Sequence, residues 1–378
     1  MNINKNVGGA IDMNSRERIN QILQHEEVDR IPFQEGPWQS TVERWRKEGL
    51  PKDVEIDEFF GYEMKFVNPN ITAQFNYKIL EENEEYIIER NEFGEIVKNH
   101  KNRSTTPQIL DSPIKDINDW AKLKKRFDFN KKRGISYISN INFKDEISVS
   151  DGLDEFKKSY NKGKFMVFCV AWGFDLLQRY VGMERLLMSI VTDPVWVVDM
   201  AKTNAKLVLD MYEYLNSKGY YFDAVLLCSD LGYKNATLFS PQHYKELFYD
   251  IDKDICSYFH HKNLKVLLHS CGNVNMLVPF FVEIGIDCLN PLEVKAGMNI
   301  IELKAKYGNK LSFWGGIDTR LYSSSDLTAL ENEIKNKIEI AKKGGGYIYS
   351  CDHSVPHDVS FDNYKKIMNF VKKYGTYI

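Results

Sequence analysis

The chain has 378 residues, is 43% hydrophobic and 27% charged, and carries a formal net charge of −3. Its 50 basic and 53 acidic residues leave no excess of cations with which to grip a phosphate backbone, so we expect no binding to nucleic acid. No apolar stretch approaches the ~20 residues that span a bilayer. Residues 1–21 contain no apolar segment of the signal-peptide type. These properties predict a globular protein outside the membrane.

Cysteine usage predicts the compartment. The six cysteines are scattered singly, and most of them lie in apolar runs: Cys169, Cys228, Cys256, Cys271, Cys288 and Cys351. Single cysteines of this kind favour reduced thiols over a disulfide framework. We therefore expect a cytoplasmic protein.

The N-terminal part predicts an arm, a helix, two strands and a hairpin. Residues 1–13 read as a disordered lead, and a helix then runs from the cap Asn14 to about His25, with Glu17 completing a capping-box pattern. Strands are predicted at 28–36 and 62–67. Alternating residues at 77–101, with a turn at Phe93-Gly94, predict a β-hairpin inserted beside the main sheet. Residues 102–160 are polar and irregular, with short helices such as 117–127.

A regular alternation of strands and helices begins at residue 164. The predicted strands are 164–172, 222–229, 264–269, 286–290, 310–315 and 346–351, and the helices between and after them are 193 to about 218, 240–259, 273–284, 299–307, 326–342 and 361–373. Near-continuous apolar strands that alternate with helices indicate a parallel sheet. An open doubly wound sheet is the alternative, but no Gly-rich phosphate turn follows the first strand. The eight strands counted from residue 28 favour a (β/α)8 TIM barrel, predicted as a single domain over 1–378 with an N-terminal helical extension (1–27) and the hairpin insertion (77–101).

Three residues at the ends of predicted strands suggest a metal site. His269 and Cys271 follow the strand ending in KVLL, and residues at i and i+2 of a strand point to one face. Cys351 ends another strand and can close on the same point. One imidazole and two thiolates suit zinc, and three protein ligands leave a position open for substrate. The plainer interpretation is that each cysteine is a small buried hydrophobic residue and that the histidine is a hydrogen-bonded core residue.

Other polar residues lie at the same predicted edge. They are Asp230, Asn290, Glu293, Asp318, Asp352 and His353, each of which follows the end of a strand. Active sites of (β/α)8 barrels lie at the C-terminal ends of the strands. This clustering favours the metal-site interpretation.

The motifs, in their order along the chain, resemble the uroporphyrinogen decarboxylase superfamily. The segments that carry the resemblance are NSRERINQILQHEEVDRIP (14–32), PIKDINDWAKL (113–123), SDLG (229–232), SPQHYKEL (240–247), HSCG (269–272), NPLE (290–293), FWGGID (313–318) and GGGYIYSCDHSVPHDVS (344–360). One group of this superfamily decarboxylates uroporphyrinogen without a metal and has an Arg-rich motif near the first strand. Residues 31–45 here read IPFQEGPWQSTVERW and lack that motif. The other group consists of zinc-dependent methyltransferases that work with corrinoid proteins and carry His-x-Cys followed by a distant Cys.

The resemblance to the second group implies His269, Cys271 and Cys351 as zinc ligands. It also implies that Glu293 fills the fourth position until substrate displaces it. His353 could instead close the site as a further ligand, contact the substrate or hold its loop. Asp230 is either a substrate contact or a cap for the following loop, and Asn290 orients Glu293 or the loop.

The expected activity is transfer of a methyl group between a corrinoid and a small thiol or methylated substrate, in a direction that the sequence leaves open. No corrinoid-binding motif is visible, so the corrinoid is expected on a partner protein. Two alternatives stay open. One is a decarboxylase-like enzyme acting on a porphyrin-type substrate, and the other is a non-catalytic protein that binds a metal or a tetrapyrrole.

Overall fold

The computed structural model describes residues 13–101, 106–139, 142–143 and 145–377. The predicted disordered lead therefore lies almost entirely outside the described residues. None of the described helices is long and apolar enough to cross a bilayer.

Thirteen strands lie in the described part of the chain. They are β1 Met64–Pro69, β2 Lys78–Glu82, β3 Tyr86–Arg90, β4 Ile96–His100, β5 Gln108–Asp111, β6 Ile135–Ser139, β7 Asn142–Phe143, β8 Phe165–Ala171, β9 Ala224–Cys228, β10 Lys265–His269, β11 Cys288–Asn290, β12 Ser312–Trp314 and β13 Tyr347–Ile348. Nine of them form one sheet in the order β13-β12-β11-β10-β9-β8-β1-β6-β7. The seven strands from β13 to β1 are parallel, and β6 and β7 are antiparallel additions.

The helices lie between these strands. They are α1 Ser15–Ile22, α2 Gln39–Lys47, α3 Ile56–Phe60, α4 Ile117–Leu123, α5 Val149–Asn161, α6 Gly173–Val181, α7 Met183–Thr192, α8 Pro194–Ser217, α9 Pro241–Leu247, α10 Tyr249–His261, α11 Val278–Ile284, α12 Ile300–Tyr307, α13 Thr328–Ala341 and α14 Phe361–Gly375. A curled, mostly parallel sheet with helices after its strands is consistent with the predicted TIM-like barrel.

The predicted first strand at 28–36 forms isolated bridges rather than a continuous ladder. Phe33 bridges Tyr349 in parallel, and the Gln34 N–H donates to the Tyr349 carbonyl at 3.1 Å. Pro32 has no N–H to donate, which prevents a longer ladder. The segment nevertheless lies beside the last parallel strand, where the eighth strand of a barrel would be.

The predicted hairpin at 77–101 is part of a separate four-stranded antiparallel sheet, β2-β3-β4-β5. The turn at Phe93-Gly94 is present between β3 and β4, and Gly94 has a φ of +87°. The stretch predicted as one strand before that turn is two strands, because it reverses between β2 and β3.

Most predicted helices are present with shifted ends. Asn14 and Glu17 form the expected capping box at the start of α1. The helix predicted at 240–259 is divided at Phe248 into α9 and α10. The helix predicted from 273 begins only at Val278, because Pro279 fits the first turn of a helix and not its interior.

Alternate residues of the buried strand β8 face two different cores. Phe165, Val167 and Cys169 pack inside the curled sheet, whereas Met166, Phe168 and Val170 pack against the helices. Ile19 and Ile22 of α1 belong to the inner core, and the Arg16 N–H donates to the Gly163 carbonyl just before β8. Helix α1 therefore covers the N-terminal end of the inner core, and the C-terminal strand ends stay available for a site.

Candidate metal centre

Three potential ligands meet at the C-terminal ends of β9 and β10. Asp230, His269 and Cys271 each offer one ligand atom, and these atoms all lie within 4.8 Å of one another. The Nε2 atom of His269 is 3.4 Å from the Cys271 sulfur and 3.8 Å from Asp230 Oδ1. Adjacent parallel strands end at the same edge of the sheet, which brings the three side chains together. A carboxylate, an imidazole and a thiol form a donor set that fits zinc.

The ring of His269 is held in one orientation by Asn290. The register of β10 and β11 places the two residues side by side, and Nδ1 of His269 is 2.6 Å from Oδ1 of Asn290. The Asn290 amide nitrogen donates to the Trp314 carbonyl at 3.0 Å, so its oxygen must face the ring. That oxygen only accepts, so Nδ1 carries the proton and Nε2 keeps its lone pair for a metal.

The electrostatics of the group favour a bound cation. Burial favours the neutral ring of His269, but the Asp230 carboxylate and other neighbours outweigh it and raise the pKa of His269 above its ordinary value. Burial, followed by the charges of Asp230 and Glu293, raises the pKa of the Cys271 thiol well above its usual range. Ionisation of Cys271 therefore needs a positive charge beside it, which a metal would supply.

Two glycines let the loops after β9 and β10 touch. A Cβ atom on Gly272 would lie 2.4 Å from the carbonyl carbon of Gly232, and Gly272 has a φ of +78°. The Gly232 N–H donates to the Cys271 carbonyl at 3.1 Å, and the Cys271 N–H donates to Asp230 Oδ1 at 2.9 Å. The glycine of the HSCG motif thus allows the close approach that fixes Cys271 against Asp230.

Cys351 lies outside this three-residue group. Its thiol donates to Oε2 of Glu35 at 3.0 Å and also lies close to the His353 carbonyl. The Cys351 N–H donates to the other Glu35 oxygen at 3.1 Å. Cys351 is fully buried, and its role as a zinc ligand stays a prediction from the resemblance.

Glu293 is buried and already bonded to its neighbours, whereas His353 is exposed. Oε2 of Glu293 accepts the Gly272 N–H at 2.7 Å, and Oε1 pairs with Lys295 at 2.9 Å. Both carboxylate oxygens of Glu293 therefore already have partners. One of these partners is the backbone of the loop that carries Cys271. His353 is exposed and lines the cavity next to the metal group.

A cavity of about 450 Å³ opens beside the three ligands, all of which line it. Glu35 and Asp175 also line it, and sequence reasoning missed both as site residues. Burial raises the pKa of Glu35 to about 7. For Asp175, burial and then the charge of Asp230 raise the pKa to about 6. Asp175 follows the end of β8 by four residues, so the strand-end rule that selected Asp230 could have found it.

Two further thiols line the cavity wall. The sulfurs of Cys169 on β8 and Cys228 on β9 are 3.8 Å apart. All six cysteines are free thiols, as the scattered pattern predicted.

Known proteins resemble the chain in fold and in family. A methyltransferase from Methanosarcina mazei matches with a TM-score of 0.63 at 16% identity, over 96% of this chain and 99% of that one. A protein of Listeria monocytogenes described as a vitamin-B12 independent methionine synthase matches with a TM-score of 0.37 at 13% identity, over 61% of this chain and 71% of that one. None of the curated protein sequences matches the chain.

The family assignment agrees with the motifs that carry the site. The family model described as uroporphyrinogen decarboxylase (URO-D) matches residues 99–374, a stretch that includes Asp230, His269, Cys271, Glu293 and Cys351. Since that match spans well over half of the 378 residues, the chain belongs to the uroporphyrinogen decarboxylase (URO-D) family.

Proposed function

We propose that the protein is a zinc-dependent methyltransferase that moves a methyl group between a corrinoid on a partner protein and a small thiol or methylated substrate. The observation that carries the proposal is the position of His269, whose Nε2 faces Cys271 and Asp230 while Asn290 holds Nδ1. The likeness of the whole fold to a methyltransferase supports it.

His269 and Cys271 would hold the zinc, with Cys351 as the third ligand that the resemblance implies. The geometry adds Asp230 as a further donor, because its carboxylate already belongs to the group. Zinc bound here would stabilise a substrate thiolate or act as a Lewis acid on the heteroatom of a methyl donor.

The residues of the chain have separate roles around that zinc. Asn290 keeps His269 in the tautomer that can ligate. Glu293 and Asp230 hold the Cys271 loop through its backbone amides. We assign a substrate contact to His353, because it is exposed and lines the cavity. We expect the corrinoid to approach the cavity from a separate protein in the cytoplasm.

Decarboxylation of a porphyrin-type substrate is the less favourable alternative. Such a substrate carries many carboxylates, and the cavity is itself lined by carboxyl groups, among them Glu35 and Asp175. Within the residues that the structure describes, the lining includes no Lys or Arg to pair with them. A buried carboxylate without a partner is strongly disfavoured.

Metal analysis combined with methyl transfer tests the proposal. We expect one zinc per chain, reduced by Cys271→Ser and Cys351→Ser and unchanged by Cys256→Ser, a buried cysteine on α10. Methylcobalt and reduced cobalt absorb differently, so transfer can be followed optically with free cobalamin and a panel of thiols, methyl ethers and amines. The proposal fails if the zinc-loaded protein transfers no methyl group with cobalamin or with a cognate corrinoid protein. Equal zinc in the wild type and both ligand variants would overturn the ligand assignment.

A further inference from the structure

The cavity beside the metal group has an uneven charge. Four carboxyl groups line it, those of Glu35, Asp57, Asp175 and Asp230. In the described ranges of the chain, no Lys or Arg side chain lines this cavity. The Cys271 thiolate and Asp230 would already neutralise a bound Zn²⁺, and the Cys351 thiolate would add further negative charge. The carboxyl groups of Glu35 and Asp175 are therefore not needed to balance the metal.

Two cations near the cavity are already paired. Arg179 lines an adjoining cavity of about 500 Å³, which also includes Asp175, but its guanidinium is 2.9 Å from the buried carboxylate of Glu95. Lys295 pairs with Glu293 at 2.9 Å. Neither cation is therefore available to balance an anion in the cavity.

Asp175 shows the effect of this uneven charge on a single side chain. For Asp175, the charge of Asp230 adds to burial. A cation that entered the cavity would lower the pKa of Asp175, whereas an anion would raise it further.

Aromatic rings form part of the same wall. Phe66 and Trp314 line the cavity with their rings nearly parallel, at 9° and 6.3 Å between centroids. The faces of aromatic rings attract cations and do not attract anions. The aromatic wall and the carboxyl groups thus favour the same charge.

We propose that the small molecule that reacts at this centre carries a cationic group, and that the cavity discriminates against carboxylate, sulfonate and phosphate compounds. The inference rests on the proposed function and narrows its substrate class. The sulfur or other methyl-bearing heteroatom would lie at His269 and Cys271. The cationic end would lie toward Asp175, Glu35 and the ring of Phe66.

Three thiols that differ only in their end group test this charge preference. They are 2-aminoethanethiol, 2-mercaptoethanol and 2-mercaptoethanesulfonate. Binding to the Co²⁺-substituted protein is followed by the thiolate-to-cobalt absorption, with each Kd corrected for the ionisation of the thiol itself. We expect the ammonium compound to bind at least tenfold more tightly than the sulfonate, with the alcohol between them. A sulfonate that binds as tightly as the ammonium compound, or no binding by any of the three, would overturn the inference.

Matched variants assign the effect to the cavity. Asp175→Asn should reduce the difference in affinity between the ammonium compound and the sulfonate several-fold. The cobalt absorption of the variant without any thiol shows whether its metal site is intact. Asp254→Asn, at an exposed position on α10, should change none of the three affinities. An equal effect of both variants would contradict the inference.

The charge preference and the methyltransferase activity can be confirmed or refuted independently of each other. Binding of these thiols needs no corrinoid, so the expected order of affinities without any methyl transfer would refute the methyltransferase and leave the charge preference standing. Methyl transfer that is fastest with the sulfonate would refute the charge preference alone. If the protein binds no metal, line broadening of tetramethylammonium, but not of methanesulfonate, by the metal-free protein tests the same cavity.

Discussion

Replacing Asn290 by Ala should weaken zinc binding although Asn290 is not a ligand. The change removes the acceptor 2.6 Å from His269 Nδ1 and frees the ring to turn or to change tautomer. Loss of such a hydrogen bond to a ligating imidazole typically reduces metal affinity by roughly 10–100-fold. This corresponds to about 1.4–2.8 kcal/mol.

The same substitution also affects folding, and the two effects must be measured separately. The Asn290 amide donates to the buried Trp314 carbonyl at 3.0 Å, and an unpaired buried carbonyl costs about 1–3 kcal/mol. Zinc affinity should therefore be measured by chelator competition on protein shown by thermal denaturation to be folded. Asn273→Ala is the matched control, since it removes an amide that bonds the Ala296 carbonyl in a neighbouring loop. Zinc affinity in Asn290→Ala equal to that of the wild type would refute this role of the hydrogen bond.

Three further outcomes are expected. Gly272→Ala should destabilise the fold by more than Gly344→Ala. Both glycines have a positive φ, but only a Cβ on Gly272 would meet backbone, at 2.4 Å. Urea unfolding compares the two variants, and equal losses of stability would contradict the close-approach argument. Glu293→Gln should lower zinc affinity only modestly while changing substrate affinity or rate, and complete loss of zinc would show it to be a fixed ligand. Burial raises the pKa of Asp252 to about 6, so the folded state binds a proton more tightly than the unfolded state. Asp252 should therefore contribute a loss of roughly 2–3 kcal/mol in the free energy of unfolding as pH rises from about 4 to 7, and Asp252→Asn should reduce the fall in denaturation curves by that amount.

Some elements of the fold were predictable because the sequence pattern that specifies them lies in residues close together along the chain. Strand β10 is an apolar run that ends at the polar His269, and Cys271 follows two residues later, so their location at the edge of a parallel sheet follows from the sequence alone. The capping box of Asn14 and Glu17 was predictable for the same reason, since its two residues are three apart.

The parts that sequence reasoning missed depend on contacts between distant residues. The position of Cys351 is set by Glu35, which is 316 residues away along the chain. The partner of His269 follows from the register of β10 and β11, which pairs it with Asn290, and no local pattern specifies a register between two strands. The segment 28–36 was predicted as a strand from its apolar residues, and Pro32 decides against a continuous ladder.

Four of the acidic residues at the strand ends share a structural feature that is distinct from metal binding. Each accepts backbone N–H groups from a neighbouring loop and so joins the loops at the C-terminal edge of the sheet, here called the rim. Asp230 accepts from Cys271, Glu293 from Gly272, Asp352 from Val294 and Thr319, and Glu35 from Cys351. Clustering of carboxylates at this edge therefore has two sources, the chemistry of the site and the need to join its loops.

Asp352 separates these two sources, because it belongs to the rim but not to the metal group. Its oxygens accept from the Val294 N–H at 2.9 Å and from the Thr319 N–H at 3.0 Å, and its side chain is buried. Asp352→Asn leaves one oxygen to accept and turns an amide N–H toward the other donor, which should destabilise the fold by about 1–3 kcal/mol. Asp230→Asn should instead reduce zinc affinity, with a smaller effect on unfolding, since Asp230 is half-exposed. Parallel urea unfolding and zinc titration of the two variants decide the matter. If both variants lose zinc affinity and stability in equal proportion, the distinction between carboxylates that join loops and carboxylates that bind zinc would be wrong.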